Sequence, residues 1–322
     1  VTPRARARGG IDLGGTKIQT VVVNARSEVL GQARAETPRT GGPSAIAAAM
    51  ADTLREAADE AGYESDVLVG VGVGSPGDVD GGAGTVSGAR NLDGWSGSFE
   101  LAATLREALG TNVAVGNDVQ VATRAEADLG AGEGFGSMLG VFWGTGVGGG
   151  IVLDGSDWLG RGAAGEIGHM VVRRGGRRCP CGNRGCMEAY AGRASMETRA
   201  RKLHRKGRKT KLFELMEAHG KDRLTSSVWE RAIKHGDKLT EELIDDAIKA
   251  LGAGIASAVN LLDVEAVILG GGLGVRFGDR FGAEIEKHVH KHLFDADNPP
   301  AFRLAELGDL GGAVGAALLA KS

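Results

Sequence analysis

One local pattern occurs twice in this chain and narrows the folds open to it. Residues 10–24 read as two β-rich segments flanking the turn Gly14-Gly15-Thr16. Residues 138–154 repeat the arrangement: an apolar run Met138–Trp143, the stretch Gly144-Thr145-Gly146-Val147-Gly148-Gly149-Gly150, then apolar Ile151–Leu153. A strand–turn–strand unit met twice implies an internal duplication and two related α/β domains. At 322 residues the chain is too long for one ordinary domain, suits two, and can bury a large core without covalent staples.

The segments between the repeats fit that plan. A third strand is expected near Glu28–Glu36, a helix over Ala45–Ala61, and a buried strand over Val67–Val73 that ends in the loop Gly74-Ser75-Pro76-Gly77. Leu101–Leu109 reads as a helix and Asn112–Val115 as a short strand. In the second half, Leu243, Ala247, Ile248, Leu251, Ile255, Val259 and Leu262 recur at helical spacing, with Thr240 as the expected cap. Val264–Leu269 reads as a buried strand, and Gly311–Lys321 as a last helix of small residues.

Charge and hydropathy exclude several classes. A net charge of −3 gives no global field toward nucleic acid or membrane. No apolar run reaches membrane-spanning length, and the basic Val1–Arg8 has no apolar signal core behind it. Arg199–Lys211 holds eight Lys or Arg residues, but His204 is the one aromatic ring among them, so it reads as a solvated helix and loop. His288, His290 and His292 fall in a helix-like context that argues against a metal site.

Glycine is the compositional outlier, at 55 residues, and it clusters beside apolar runs. Three glycine-rich turns follow apolar strands, at 14–16, 144–150 and 270–274. Backbone N–H groups of such turns can converge on phosphate oxygens, because no Cβ blocks the approach. The P-loop pattern Gly-x4-Gly-Lys-Ser/Thr is absent. Gly144–Gly149 and Gly72–Gly77 both match Gly-x-Gly-x-x-Gly. A dinucleotide site, however, needs a helix directly after the glycines. Here a strand follows the first match and a loop the second.

The three cysteines fall in one short loop, Cys179-Pro180-Cys181-Gly182-Asn183-Arg184-Gly185-Cys186, with His169 ten residues before it. They are too few and too close for a disulfide framework, and a cluster of this kind in a reducing cytoplasm binds metal. Three thiolates and an imidazole form a closed tetrahedral zinc set with no position left for water, so the ion would be structural. Nearby acids have two readings each. Asp12, before the first glycine turn, suits either a turn cap or a water-mediated Mg²⁺ contact. Asn117-Asp118, between a strand and a helix, suits either a helix cap or a general base. Glu166 and Glu188 flank the cysteine loop, which would fix them near each other for a polyhydroxylated ligand.

Together these segments resemble the ROK family of bacterial sugar kinases and sugar-responsive repressors, over nearly the whole chain. The resemblance rests on Asp12–Lys17, Asn91-Leu92-Asp93-Gly94-Trp95, Asn117-Asp118 and Gly144–Gly150. It continues through Gly165-Glu166-Ile167-Gly168-His169 and Cys179–Glu188. It implies a two-domain actin-like (RNase-H-like) α/β fold with a cleft between the domains. The small domain would be 1–117 plus 306–322, and the large domain 118–305 with the zinc loop at 169–188. It assigns Asp118 as the base that activates the sugar 6-hydroxyl. Asn91, Asn117, Glu166, His169 and Glu188 would surround the sugar hydroxyls. Asp12, Gly14, Gly15, Thr16, Lys17, Gly144, Thr145 and Gly146 would hold the phosphates of ATP and its Mg²⁺, and Gly270, Gly271 and Gly272 the adenosine side. Cytoplasmic homodimers or homotetramers are implied, with neither nucleic acid nor membrane as partner. Only eleven residues precede Asp12, which favours an enzyme over a DNA-binding regulator, and the cysteine loop favours ATP over polyphosphate. Glucose is the expected substrate, with fructose, mannose or an N-acetylated amino sugar as alternatives. A sensor without catalysis is a further alternative, against which Asp12, Asp118 and both phosphate turns argue.

Overall fold

The computed structural model describes residues 6–89 and 92–320. The chain divides into two compact units. The first comprises the chain up to Glu133, Leu159–Gly162 and Glu306 onward; the second comprises Gly134–Trp158 and Ala163–Ala305.

The first unit opens with three antiparallel strands, β1 (Arg8–Leu13), β2 (Lys17–Val23) and β3 (Val29–Glu36). Helix α1 (Gly42–Ala61) covers the segment where the sequence pattern put a helix and buries Ile46, Met50, Leu54 and Ala57. β4 (Val71–Ser75) then pairs parallel with β1. A small sheet of β5 (Asp78–Asp80), β6 (Thr85–Ser87) and β7 (Ser98–Phe99) follows, then helix α2 (Leu101–Leu109). β8 (Val113–Asn117) pairs parallel with β4 and leads directly into α3 (Asp118–Leu129). The main sheet has the order β3-β2-β1-β4-β8.

The second unit repeats this plan. β9 (Met138–Trp143), β10 (Val147–Leu153) and β11 (Ser156–Asp157) form the antiparallel part. Helices α4 (Glu188–Ala191), α5 (Arg193–Arg205), α6 (Leu212–Ala218), α7 (Ser226–Lys234) and α8 (Lys238–Leu262) come next. β12 (Ala266–Gly270), α9 (Gly271–His290) and β13 (Ala301–Leu304) complete it, with β12 parallel to both β9 and β13. The sheet order β11-β10-β9-β12-β13 matches that of the first unit strand for strand. The duplication seen as two glycine turns is therefore a duplication of topology.

The last helix, α10 (Gly311–Leu319), returns to the first unit. It packs backbone to backbone on the sheet. A Cβ on Gly10 of β1 would overlap the Ala313 carbonyl, and one on Gly72 of β4 the Ala316 carbonyl. Part of the glycine excess thus serves helix-on-sheet approach and not ligand contact.

Several expectations change. β4 starts at Val71 and takes in Gly74-Ser75, and the segment after Gly77 is strand β5 where a loop was expected. The first unit continues past Asn117 to Glu133, because α3 packs against α10, its partner near the far end of the sequence. The cap of α8 is Asp237, whose Oδ1 accepts from Thr240 N at 2.8 Å; Thr240 lies inside the first turn. Gly270–Gly272 form a strand-to-helix junction and no turn, since α9 starts at Gly271. Among the described residues no helix is long and apolar enough to cross a membrane.

Candidate functional site

In the first unit the parallel strands carry two acids to one edge of the sheet. Asp12 is in register with Gly74, and Gly74 with Gly116, so Asp12 and the Asn117-Asp118 pair lie two strands apart at the carboxyl ends. In α/β sheets this edge is where ligands bind. The turn after Asp12 is tied at its base: Gly14 N donates to Lys17 O at 2.9 Å and Thr37 Oγ1 to Gly14 O at 2.7 Å. Gly15 and Thr16 are left exposed at its tip.

The Asp12 carboxylate rests against the first turn of α10, where a Cβ on Gly312 would lie 2.8 Å from its Oδ2. Burial pushes its pKa above the ordinary 3.8, opposed by the nearby Lys17 ammonium and reinforced by Asp309. Lys17 Nζ stands 3.7 Å from Asp309 Oδ2. Asn117 caps α3, its Oδ1 accepting from Val119 N at 3.1 Å and Gln120 N at 3.2 Å. Asp118 Oδ1 also accepts from Val119 N, at 2.9 Å, so both members of the pair reach the helix-start amides. Asn117 holds the helix start, and half-buried Asp118 forms its first residue. Asn91, implicated by resemblance, lies outside the described residues.

In the second unit, His169 and the three cysteines converge. His169 Nδ1 is 3.7 Å from Cys179 Sγ, Cys181 Sγ is 3.8 Å from Cys186 Sγ, and all four donor atoms lie within 4.8 Å of one another. Zinc–sulfur bonds of about 2.3 Å at tetrahedral angles set sulfurs about 3.8 Å apart, so these spacings fit one ion. The loop curls through Gly182 and Gly185, at φ +100° and +85°. Burial pushes the Cys179 thiol up to about 12 and also raises Cys186, while the Asn183 backbone N–H lowers Cys181. The other ring nitrogen of His169, Nε2, is 3.7 Å from Glu166 Oε2.

Glu188, two residues past Cys186, reaches the second glycine turn. Its Oε2 accepts from Val147 N at 3.0 Å and fills the space beside Gly146. The far side of that turn is held by the start of α5, where Arg193 N donates to Gly144 O at 3.1 Å and Ala194 N to Thr145 O at 3.0 Å. The Gly271 junction approaches as well: a Cβ on Gly144 would lie 3.9 Å from Gly272 N. The second unit thus gathers Gly144–Gly146, Gly270–Gly272, Glu166, His169, Glu188 and the cysteine loop. Sequence reasoning missed Arg193, whose place after Ala191-Gly192 reads as an ordinary helix start.

Residues 8–322 match the family model described as ROK family. The chain belongs to the ROK family. Among ROK relatives it is 32% identical to a glucokinase of Halalkalibacterium halodurans, over 97% of this chain and 94% of that one. It is 31% identical to the N-acetylgalactosamine kinase AgaK of a Shewanella species, over 96% and 95%. In structure it is similar to a ROK family glucokinase from Streptomyces griseus, solved in complex with glucose and AMPPNP. The TM-score is 0.80 at 31% identity, covering 97% of this chain and 98% of that one. The ROK chain described here has the mixed α/β architecture of the two-domain actin-like kinases.

Proposed function

We propose that this ROK protein is an ATP-dependent hexose kinase that converts glucose to glucose 6-phosphate. The observation that carries the reading is the carboxyl edge of the first sheet, where Asp12 and the Asn117-Asp118 pair stand two strands apart beside the exposed tip Gly15-Thr16. Similarity to a glucokinase solved with glucose and AMPPNP supports the same reaction.

Asp118 takes the proton of the sugar 6-hydroxyl as that oxygen bonds to the γ-phosphorus. The bond from γ-phosphorus to the β,γ-bridging oxygen breaks, and ADP leaves. Backbone N–H groups at the tips of the turns Gly14–Lys17 and Gly144–Gly146 hold the phosphoryl oxygens, and Gly270–Gly272, at the start of α9, hold the adenosine side. Asn91, Asn117, Glu166, His169 and Glu188 contact sugar hydroxyls. Asp12 suits Mg²⁺ held through water, since a carboxylate desolvated beside a glycine turn gains from a cation. Magnesium bound there would neutralise phosphate charge. His169, Cys179, Cys181 and Cys186 suit a structural Zn²⁺, whose closed thiolate-rich donor set leaves it no reacting position. Held by these four residues, the ion would clasp the loop, and the loop in turn presents the His169 Nε2 face, Glu166 and Glu188.

A second reading, phosphorylation of an N-acetylated amino sugar, is favoured by the similarity to AgaK. ADP release measured with Mg²⁺-ATP against glucose, mannose, fructose, N-acetylglucosamine and N-acetylgalactosamine separates the two. The highest kcat/KM is expected with glucose. A preference for an N-acetylated sugar would establish the second reading, and no turnover with any hexose would overturn both.

A further inference from the structure

The start of α5 makes a set of contacts that the reaction outlined above does not use. Arg193 Nη2 donates to Thr145 Oγ1 at 2.8 Å, and Arg193 Nη1 donates to Leu224 O at 3.0 Å. The Leu224 amide is held from the same helix, donating to Glu197 Oε2 at 3.0 Å. Leu224 leads into Thr225 and Ser226 at the start of α7, and Ser226 Oγ would lie 3.7 Å from a Cβ on Gly272. One guanidinium therefore ties the Gly144–Gly146 turn to the segment facing the Gly270–Gly272 junction.

We infer that Arg193 is a positioning residue for the nucleotide, acting through the Thr145 hydroxyl. The inference rests on the kinase reading, in which these two glycine segments hold ATP. A threonine hydroxyl has one hydrogen and two lone pairs. The guanidinium occupies a lone pair, which directs the single O–H outward as a donor. Thr145 is exposed, so a phosphoryl oxygen is the acceptor that this donor suits. A hydrogen bond received from a cation also polarises the hydroxyl and strengthens the bond it gives. Arg193 is partly desolvated, which makes its charge effective at short range: burial lowers its pKa, with Glu197 raising it and Arg223 lowering it further. The same helix start donates its backbone N–H groups to the Gly144 and Thr145 carbonyls; the Gly144 amide closes the turn onto Gly146 O at 3.0 Å, which leaves the Thr145 and Gly146 amides for the ligand.

The chemistry recognised is a polyphosphate chain attached to a nucleoside, and the sugar is not touched. Calorimetric titration of the full chain with Mg²⁺-AMPPNP, and separately with glucose, tests this. Arg193→Met should weaken AMPPNP binding about tenfold, the loss expected for one charge-assisted hydrogen bond, and leave glucose binding within about twofold. Arg193→Lys, which keeps the charge, should recover part of the loss. Thr145→Val should weaken AMPPNP on its own, and the double variant Thr145→Val with Arg193→Met should be no weaker than the worse single variant. Losses that add, or a loss shared equally by glucose and AMPPNP with a lowered Tm, would make Arg193 a structural residue only. Wild-type protein that binds no AMPPNP would instead overturn the kinase reading itself.

Discussion

The Glu188 carboxylate occupies the space that a side chain on Gly146 would need, and accepts the next amide, Val147 N, at 3.0 Å. A carboxylate proposed to contact the sugar thus also shapes the turn proposed to hold phosphate. Gly146→Ala should drive Glu188 out of place and break the Val147 bond. Steady-state kinetics should then show KM raised for both glucose and ATP, by roughly tenfold in kcat/KM, with a small fall in Tm. An unchanged glucose KM would detach Glu188 from the sugar.

Asp118→Asn should fold normally, because the helix cap is Asn117 and remains in place. Loss of a general base costs roughly 10²- to 10⁴-fold, so kcat should fall by that order with glucose KM little altered. Far-UV circular dichroism and initial rates suffice to check this. Full turnover by the variant would remove Asp118 from the chemistry.

Metal analysis should find one zinc per chain. Chelation should lower Tm and raise the glucose KM, since His169 presents Nδ1 to the cysteines and Nε2 to Glu166. Cys181→Ser removes a half-buried ligand and should act in the same direction. Zinc content of zero in active enzyme would dismiss the clasp.

Asp237 links the start of α6 to the start of α8, accepting from Lys211 N at 2.6 Å, and from Thr240 N and Thr240 Oγ1 at 2.8 Å each. Burial alone would raise its pKa, but the hydrogen bonds from Lys211 and Thr240 outweigh it and hold the group below the ordinary 3.8. A depressed native pKa means stability that is present above 3.8 and lost as pH falls through the native value. Asp237→Ala should cost about 1–2 kcal/mol at pH 7. Urea denaturation should show the gap to wild type narrowing at acid pH.

Much of this design is local in the sequence. The two glycine turns, the cysteine loop and the acids beside them sit within short windows, and β9 and α2 fall where the residue pattern put them. What escaped depends on partners far along the chain. α3 belongs to the first unit because α10 covers it, and no pattern near residue 118 announces that. Asp237 outcompeted Thr240 as a cap because its carboxylate also serves Lys211, a residue of another helix boundary. Arg193 gains its meaning from Thr145 and Leu224, one on a preceding turn and the other beyond α6.

Asp12 makes the relation between stability and function testable at one atom group. Burial raises its pKa above 3.8, so the native state holds the proton more tightly than the unfolded chain does. The stability this lends is full below 3.8 and is lost as pH rises through the native value. At neutral pH, well above 3.8, the buried carboxyl therefore sits in the fold at a cost. Asp12→Asn does not titrate, so its Tm should match or exceed wild type at pH 7, and the advantage should vanish below pH 3.8. If the carboxylate is there to hold a cation against the phosphates, the same variant should lose turnover roughly a hundredfold. Raising magnesium should stabilise wild type and leave the variant unmoved in thermal melts with AMPPNP present. A variant both less stable and fully active would show that Asp12 is a turn cap and nothing more.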